Sequence, residues 1–170
     1  MKFLVVAFSL MAYLSSCAQT EKFDLSTYIE VERKPNLVQK DTILYMVLYK
    51  NKEDGDYSLI RFFEDSLCST MMMERFYYRG ILNGPFRRFD PLGRVELAGQ
   101  YKNGVRHGQF ILYNGGKLEM YQHFDNGNKV GTWEEFDKEG NVSRRIKFAK
   151  DKMVEEQHFQ NGKLIRITKY

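Results

Sequence analysis

Cysteine is scarce in this chain: there are two in 170 residues, alongside three histidines. Neither CxxC nor HExxH occurs, which removes the common signatures of a zinc site, a dithiol centre or a zinc protease. No glycine-rich loop leads from a strand into a helix, so no phosphate cradle is recognisable. No nucleophile has an evident base. The adjacent pairs Glu134-Glu135 and Glu155-Glu156 lie on strand-like segments, where neighbouring side chains point to opposite faces, so neither pair can share acid-base work. The expectation is a protein that is not an enzyme, with no cofactor and no bound metal.

Long apolar runs and long basic runs are also missing. The N-terminal run from Phe3 to Leu14 has 12 residues, too few to cross a bilayer as a permanent helix. The 26 basic residues exceed the 22 acidic ones by only four, and the two signs are interleaved. Arg87-Arg88 and Arg144-Arg145 are isolated pairs, the pattern of a solvated face, and no nucleic-acid partner is expected. Cys68 sits in Leu67-Cys68-Ser69-Thr70-Met71-Met72-Met73, where a small buried hydrophobe and core-filling methionines are the expected roles.

What the chain does have is aromatic residues, 15% of the total, and they are regularly spaced. Tyr78, Phe89, Tyr101, Tyr113, Phe124, Phe136, Phe148, Phe159 and Tyr170 follow at intervals of 11 or 12 residues, so two steps make a repeat of 23 or 24. Glycines keep the same period, with Gly84, Gly108 and Gly131 before a strand and Gly93, Gly116 and Gly140 in the connection beyond it. Two residue classes sharing one period mark a repeat architecture. Asn103-Gly104, Asn126-Gly127 and Asn161-Gly162 tolerate the positive φ of tight hairpin turns, and the segments between them are β-branched and aromatic. Connections this short join only antiparallel neighbours. The predicted fold is all-β: an antiparallel up-and-down meander of repeated hairpins forming an elongated, twisted sheet.

The units from Tyr101 to Tyr113 and from Phe124 to Phe136 resemble the MORN repeat in its bacterial, MORN-variant or YwqK-like form, Y-x-N-G-x-x-x-G-x-W-x-x-Y-x-x-x-G. Residues 76–93 match more loosely, and residues 145–170 keep the aromatic spacing but lose the Gly-aromatic step. The resemblance implies a hairpin per repeat, no catalytic residue, and use as an interaction or membrane-proximal module. The name attached to similar repeats adds an antitoxin or immunity-like inhibitor as the alternative function. His107 matches the histidine often found before the second glycine, where the resemblance implies a turn-stabilising role.

Leu14-Ser15-Ser16-Cys17 resembles a bacterial lipobox, whose cysteine receives diacylglycerol and becomes the mature N-terminus. The expected organisation is a signal peptide over 1–16, a lipidated N-terminus at Cys17 with a tether running to residue 40, an N-terminal hairpin over 41–75 that caps the sheet, and the repeat meander over 76–170. Within 18–40, Phe23, Leu25, Tyr28, Ile29 and Val31 leave a second reading open, a strand docked on the sheet. Acyl chains contribute roughly 0.8 kcal/mol per buried methylene. That anchor would hold the protein at the bacterial cell envelope, periplasmic or surface-exposed.

Alternation along the strands assigns two faces. Ile111, Tyr113, Leu118, Met120, Phe124, Phe136, Val142, Ile146, Phe148, Met153, Phe159, Leu164 and Tyr170 fall on the expected core face. Phe110, Leu112, Tyr121, His123, Trp133, Glu135, Arg145, Lys147, Glu156, His158, Ile165 and Ile167 fall on the other. His123 and His158 would then share a face about 14 Å apart, too far to ligate one ion. One aromatic per repeat, Phe86, Phe110 and Trp133, lies beside Arg88, Leu112 and Glu135. With Tyr121 and His123 these make a candidate binding face, its rungs about 10 Å apart, for an extended peptide, a glycan or an apolar surface. Cross-strand packing is the other role open to the row. The functional expectation is a non-catalytic interaction or scaffold lipoprotein that binds an envelope protein or surface.

Overall fold

The hairpin turns constrain everything between them. Asn103-Gly104, Asn126-Gly127 and Asn161-Gly162 each place two consecutive residues at positive φ, 51° and 84°, 47° and 88°, and 51° and 71°. This is the backbone of a type I′ turn, whose twist matches that of the strands it joins. Arg79-Gly80, Gly115-Gly116 and Lys150-Asp151 also pair two positive φ values.

The computed structural model describes residues 25–39 and 42–170. A 3-10 turn over Leu25–Thr27 leads into thirteen strands: β1 Tyr28–Gln39, β2 Thr42–Asn51, β3 Tyr57–Phe63, β4 Met71–Tyr78, β5 Ile81–Phe89, β6 Val95–Lys102, β7 Val105–Asn114, β8 Lys117–Asp125, β9 Asn128–Lys129, β10 Gly131–Phe136, β11 Val142–Ala149, β12 Lys152–Gln160 and β13 Lys163–Lys169. They form one open antiparallel sheet in chain order, with the short β9 pairing β8 just before β10 takes over. The fold is thus the all-β meander expected. Of the two readings for residues 18–40, the strand is present over Tyr28–Gln39, paired with β2. The signal peptide, Cys17 and the first part of the tether lie outside the described residues. Among the described residues no helix is long and apolar enough to cross a membrane.

Register departs from simple alternation at regular places. Along one edge of the sheet, every hairpin from β3–β4 onward carries a one-residue bulge just after its loop, at Met72, Glu96, Glu119, Ser143 and Ile165. One extra residue turns the rest of that strand over relative to its neighbour. Continuing the pairing from Tyr113↔Leu118 without a bulge would set Phe110 opposite Tyr121; with it, Phe110 pairs with Gln122. Likewise Trp133 pairs with Ile146 and not with Arg145. On the opposite edge, Gly84, Gly108 and Gly131 adopt φ of 122°, 73° and 64°, and there the register slips by two. Side-chain faces survive a slip of two, but the aromatic beyond the glycine moves along its neighbour, so that Phe110 lands opposite Gly99.

These slips put the core on a face that simple alternation divided. Phe86, Tyr101, Phe110, Phe124, Trp133 and Phe148 make one continuous aromatic row, with successive ring centroids 5.6, 5.6, 5.3, 5.1 and 4.8 Å apart. Ile146, Leu97 and Met153 pack against it. Ile111, expected in the core with Phe124, faces the other way because it neighbours Phe110 on β7. Phe110 is only 1% exposed because its ring lies on Gly99, where a Cβ would come within 2.4 Å of a ring carbon. A second cluster, Tyr28, Leu59 and Phe76, lies on the opposite face, since Phe76 alternates with Arg75 and Arg75 pairs with Phe86. The main core therefore changes face between β4 and β5.

Gly99→Ala should destabilise the fold by about 2–3 kcal/mol, because Phe110 must leave its place. Phe110→Ala should cost about 3–5 kcal/mol through the cavity it leaves. Together the two should cost at least about 1 kcal/mol less than their sum, as the new methyl occupies the vacated space. Urea unfolding of the four proteins checks this, and strict additivity would refute the ring-on-glycine contact.

Candidate functional site

The three aromatics expected to form binding rungs are inside the protein. Phe86 and Trp133 are 8% exposed and Phe110 1%; Phe110 and Trp133 are wedged between row neighbours from adjacent strands, and Phe86 ends the row against Tyr101. Cations close the row from above. Arg75 lies over Phe62 and Phe86 at 5.4 and 5.9 Å, Arg106 over Phe110 and Phe124 at 5.1 and 5.2 Å, and Lys129 over Trp133 and Phe148 at 5.1 and 5.4 Å. Such cations are attracted to the ring faces, and their long stems shield the aromatic surface while the charge stays hydrated. Arg106 and Lys129 occupy the same place in successive repeats, two residues after the Asn-Gly turn. That spacing is visible in the sequence and was the available sign that the rungs are covered.

The other five candidates divide between the faces. Arg88, Leu112 and Glu135 lie on the aromatic face in one cross-strand row, through Arg88↔Leu97, Leu97↔Leu112, Leu112↔Met120 and Met120↔Glu135. Arg88 bonds Glu96 at 2.7 Å, and Glu135 accepts from Arg144, which also holds Glu156 at 2.7 Å. Tyr121 and His123 lie on the opposite face, paired with Ile111 and Gln109. The bulge at Glu119 puts them there, so the eight residues do not form one surface. His123 and His158 are also on opposite faces, because His158 pairs with Arg144 on the aromatic side. His107 lies on β7 beside the Asn126-Gly127 turn, where its Nδ1 accepts the Asn126 N–H at 3.4 Å.

The second face carries its own straight row: Arg61, Glu74, Arg87, Ala98, Ile111, Tyr121, Glu134, Arg145, Gln157 and Ile167. Glu74 is buried between Arg61 and Arg87, and Arg145 bonds Glu134 at 2.7 Å. Between these ionic ends, Ala98, Ile111 and Tyr121 are half-buried. The face thus offers an apolar centre flanked by paired charges.

At the bulged edge, aspartates organise the loops. Asp65 accepts from the Thr70 and Ser69 N–H groups at 2.8 and 3.1 Å, Asp90 from those of Leu92 and Arg94, and Asp137 from those of Asn141 and Glu139. The Thr70 and Ser69 amides hold the Asp65 carboxyl down to about 2, and the Asn141 amide lowers that of Asp137. Cys68, expected to be buried, sits half-exposed in the Asp65 loop at φ 57°, because the loop turns its side chain toward Arg33, whose Nη1 donates to Sγ at 3.3 Å.

The last strand is an edge strand, as β1 is at the other end of the sheet. Among the described residues β13 pairs only with β12, and Leu164, Ile165 and Ile167 along it are exposed, Ile165 by 60%.

Asp65 and Asp137 are both more acidic folded than unfolded, so their stabilisation is present above about pH 4, the unfolded aspartate range, and is lost as the pH falls through their lower folded values, about 2 for Asp65. Thermal unfolding of wild type should therefore lose midpoint steeply over that window. Asp65→Asn with Asp137→Asn should begin lower at neutral pH and fall less steeply; parallel pH profiles would show that the loops contribute nothing.

No family model and no curated protein matches the chain. Among solved structures, it is similar to the pneumococcal O-GlcNAc transferase GtfA in complex with UDP and GlcNAc, at 11% identity and a TM-score of 0.30, over 82% of this chain and 21% of that one. The chain spans about a fifth of that protein's length, and a likeness this slight carries no functional argument.

Proposed function

We propose that this chain is a non-catalytic, envelope-anchored interaction protein, in which a lipid on Cys17 holds a MORN-variant sheet at a membrane and the sheet binds a protein or envelope surface. The observation that carries the interaction half is the single-layer sheet. Its aromatic face is closed by its own rings and cations, while the other face keeps Ala98, Ile111 and Tyr121 half-buried between paired charges. A layer that buries one face and leaves the other amphipathic is built to be covered by something else. The repeat reading is supported by the type I′ Asn-Gly turns, by Gly84, Gly108 and Gly131 at positive φ, and by the buried aromatic two residues after each of those glycines. The anchor reading rests on Leu14-Ser15-Ser16-Cys17.

Expression in a bacterial host, with intact mass and membrane fractionation of wild type and Cys17→Ala, tests the proposal. A diacyl or triacyl mass increment and membrane retention, both lost in the variant, is the expected result. An unmodified, freely soluble wild type would discard the anchor and favour the antitoxin-like inhibitor.

A further inference from the structure

We propose that β13 takes up an extended, acidic segment of a partner protein, which adds to the sheet as its next strand. This deepens the interaction reading above and does not depend on the lipid anchor.

Three observations meet on this strand. First, among the described residues β13 is hydrogen-bonded to β12 alone, so its outward N–H and C=O groups form a template for a further strand. Second, apolar side chains are exposed along it, Ile165 and Ile167 among them. Third, its seven residues include Lys163, Arg166 and Lys169 and no acid. Arg166 lies 2.8 Å from the His158 ring and not on a carboxylate. Lys169 faces Glu155 across the pair, and that carboxylate already holds Lys147 at 3.0 Å. The edge is therefore open, apolar and cationic at once.

The other edge shows what a blunted edge looks like in the same molecule. β1 contains Pro35, which has no N–H to offer, and two register breaks against β2. Its charges are matched within the strand, Arg33 with Glu30 and Lys34 with Glu32. Proline, irregularity and charge are the devices that keep a strand from recruiting another. β13 has no proline, one bulge at Ile165 and charge of one sign only.

That sign selects the occupant. Two copies of β13 side by side would bring together six cations and no acid within the paired strands, and like charges facing across a ladder are destabilising. A segment with alternating acidic and apolar residues satisfies both sides of the pleat. Its acids meet Arg166 on the face shared with His158, and its apolar side chains continue the row that ends in Ile167. Main-chain bonds supply the affinity of strand addition and alternate side chains the specificity.

The test uses purified full-length protein and three fluorescent peptides: glutamate alternating with valine, lysine alternating with valine, and the first composition rearranged into a glutamate block and a valine block. Fluorescence anisotropy should show the alternating acidic peptide binding at least about tenfold tighter than either other peptide. Lys163→Glu with Arg166→Glu should reverse the preference between the acidic and basic alternating peptides. Circular dichroism confirms the fold of the variant, whose changed residues are exposed. Equal binding of block and alternating peptides, no preference for acid, or no binding at about 1 mM would overturn the proposal. So would wild-type dimerisation abolished by the double substitution, which would make a second copy the occupant. Affinity is read here and mass and fractionation in the anchor experiment, so the two failures are distinguishable.

Discussion

Everything in this sheet depends on aromatic rings burying one another across neighbouring strands. A sheet of one layer has no opposing layer to receive its apolar face, and small side chains on such a face would remain wet. Rings reach far enough to touch the next strand's rings, and the row from Phe86 to Phe148 does so without a gap. Gly99 makes room for the most deeply buried of them, and the glycine bulge at Gly108 carries Phe110 to that place. Arg106 and Lys129 then shield the row from water. Turn, bulge, ring and cation recur together because each step needs the one before it.

The same constraint decides where function can reside. Rings engaged with one another cannot also receive a ligand, so the aromatic face is structural. Among the described residues, the surfaces left for contact are the second face of the repeats and the outer edge of β13. At the N-terminal end the arrangement reverses, with Tyr28, Leu59 and Phe76 buried on the second face and Glu74 held there between two arginines. The open part of that face therefore begins beyond Arg87 and runs toward β13, so the two candidate contact surfaces are continuous.

Turn chemistry made the order of the fold legible. Asn-Gly pairs and aromatic spacing act within a few residues, and they were sufficient for the antiparallel meander and for most strand positions. The recurrence of Phe86, Phe110 and Trp133 was legible too. Their burial was signalled only by the cation two residues after each Asn-Gly turn, Arg106 and Lys129, because the rings that flank them come from neighbouring strands. Face assignment failed for a sharper reason: Met72, Glu96, Glu119, Ser143 and Ile165 share a bulge but no residue type, so nothing local announces the extra residue that turns Tyr121 and His123 away from Phe110. Cys68 was misplaced because its exposure is set by the Asp65 loop and by Arg33 from a distant strand.

Hydrogen exchange of Phe110→Ala against wild type is the most direct measurement of what the aromatic row does. If the row holds the repeats together, amides from β6 to β11 exchange faster in the variant, while β2 and β3, packed on the separate Leu59 cluster, keep their protection. Equal acceleration across all strands, or unchanged exchange from β6 to β11, would contradict it.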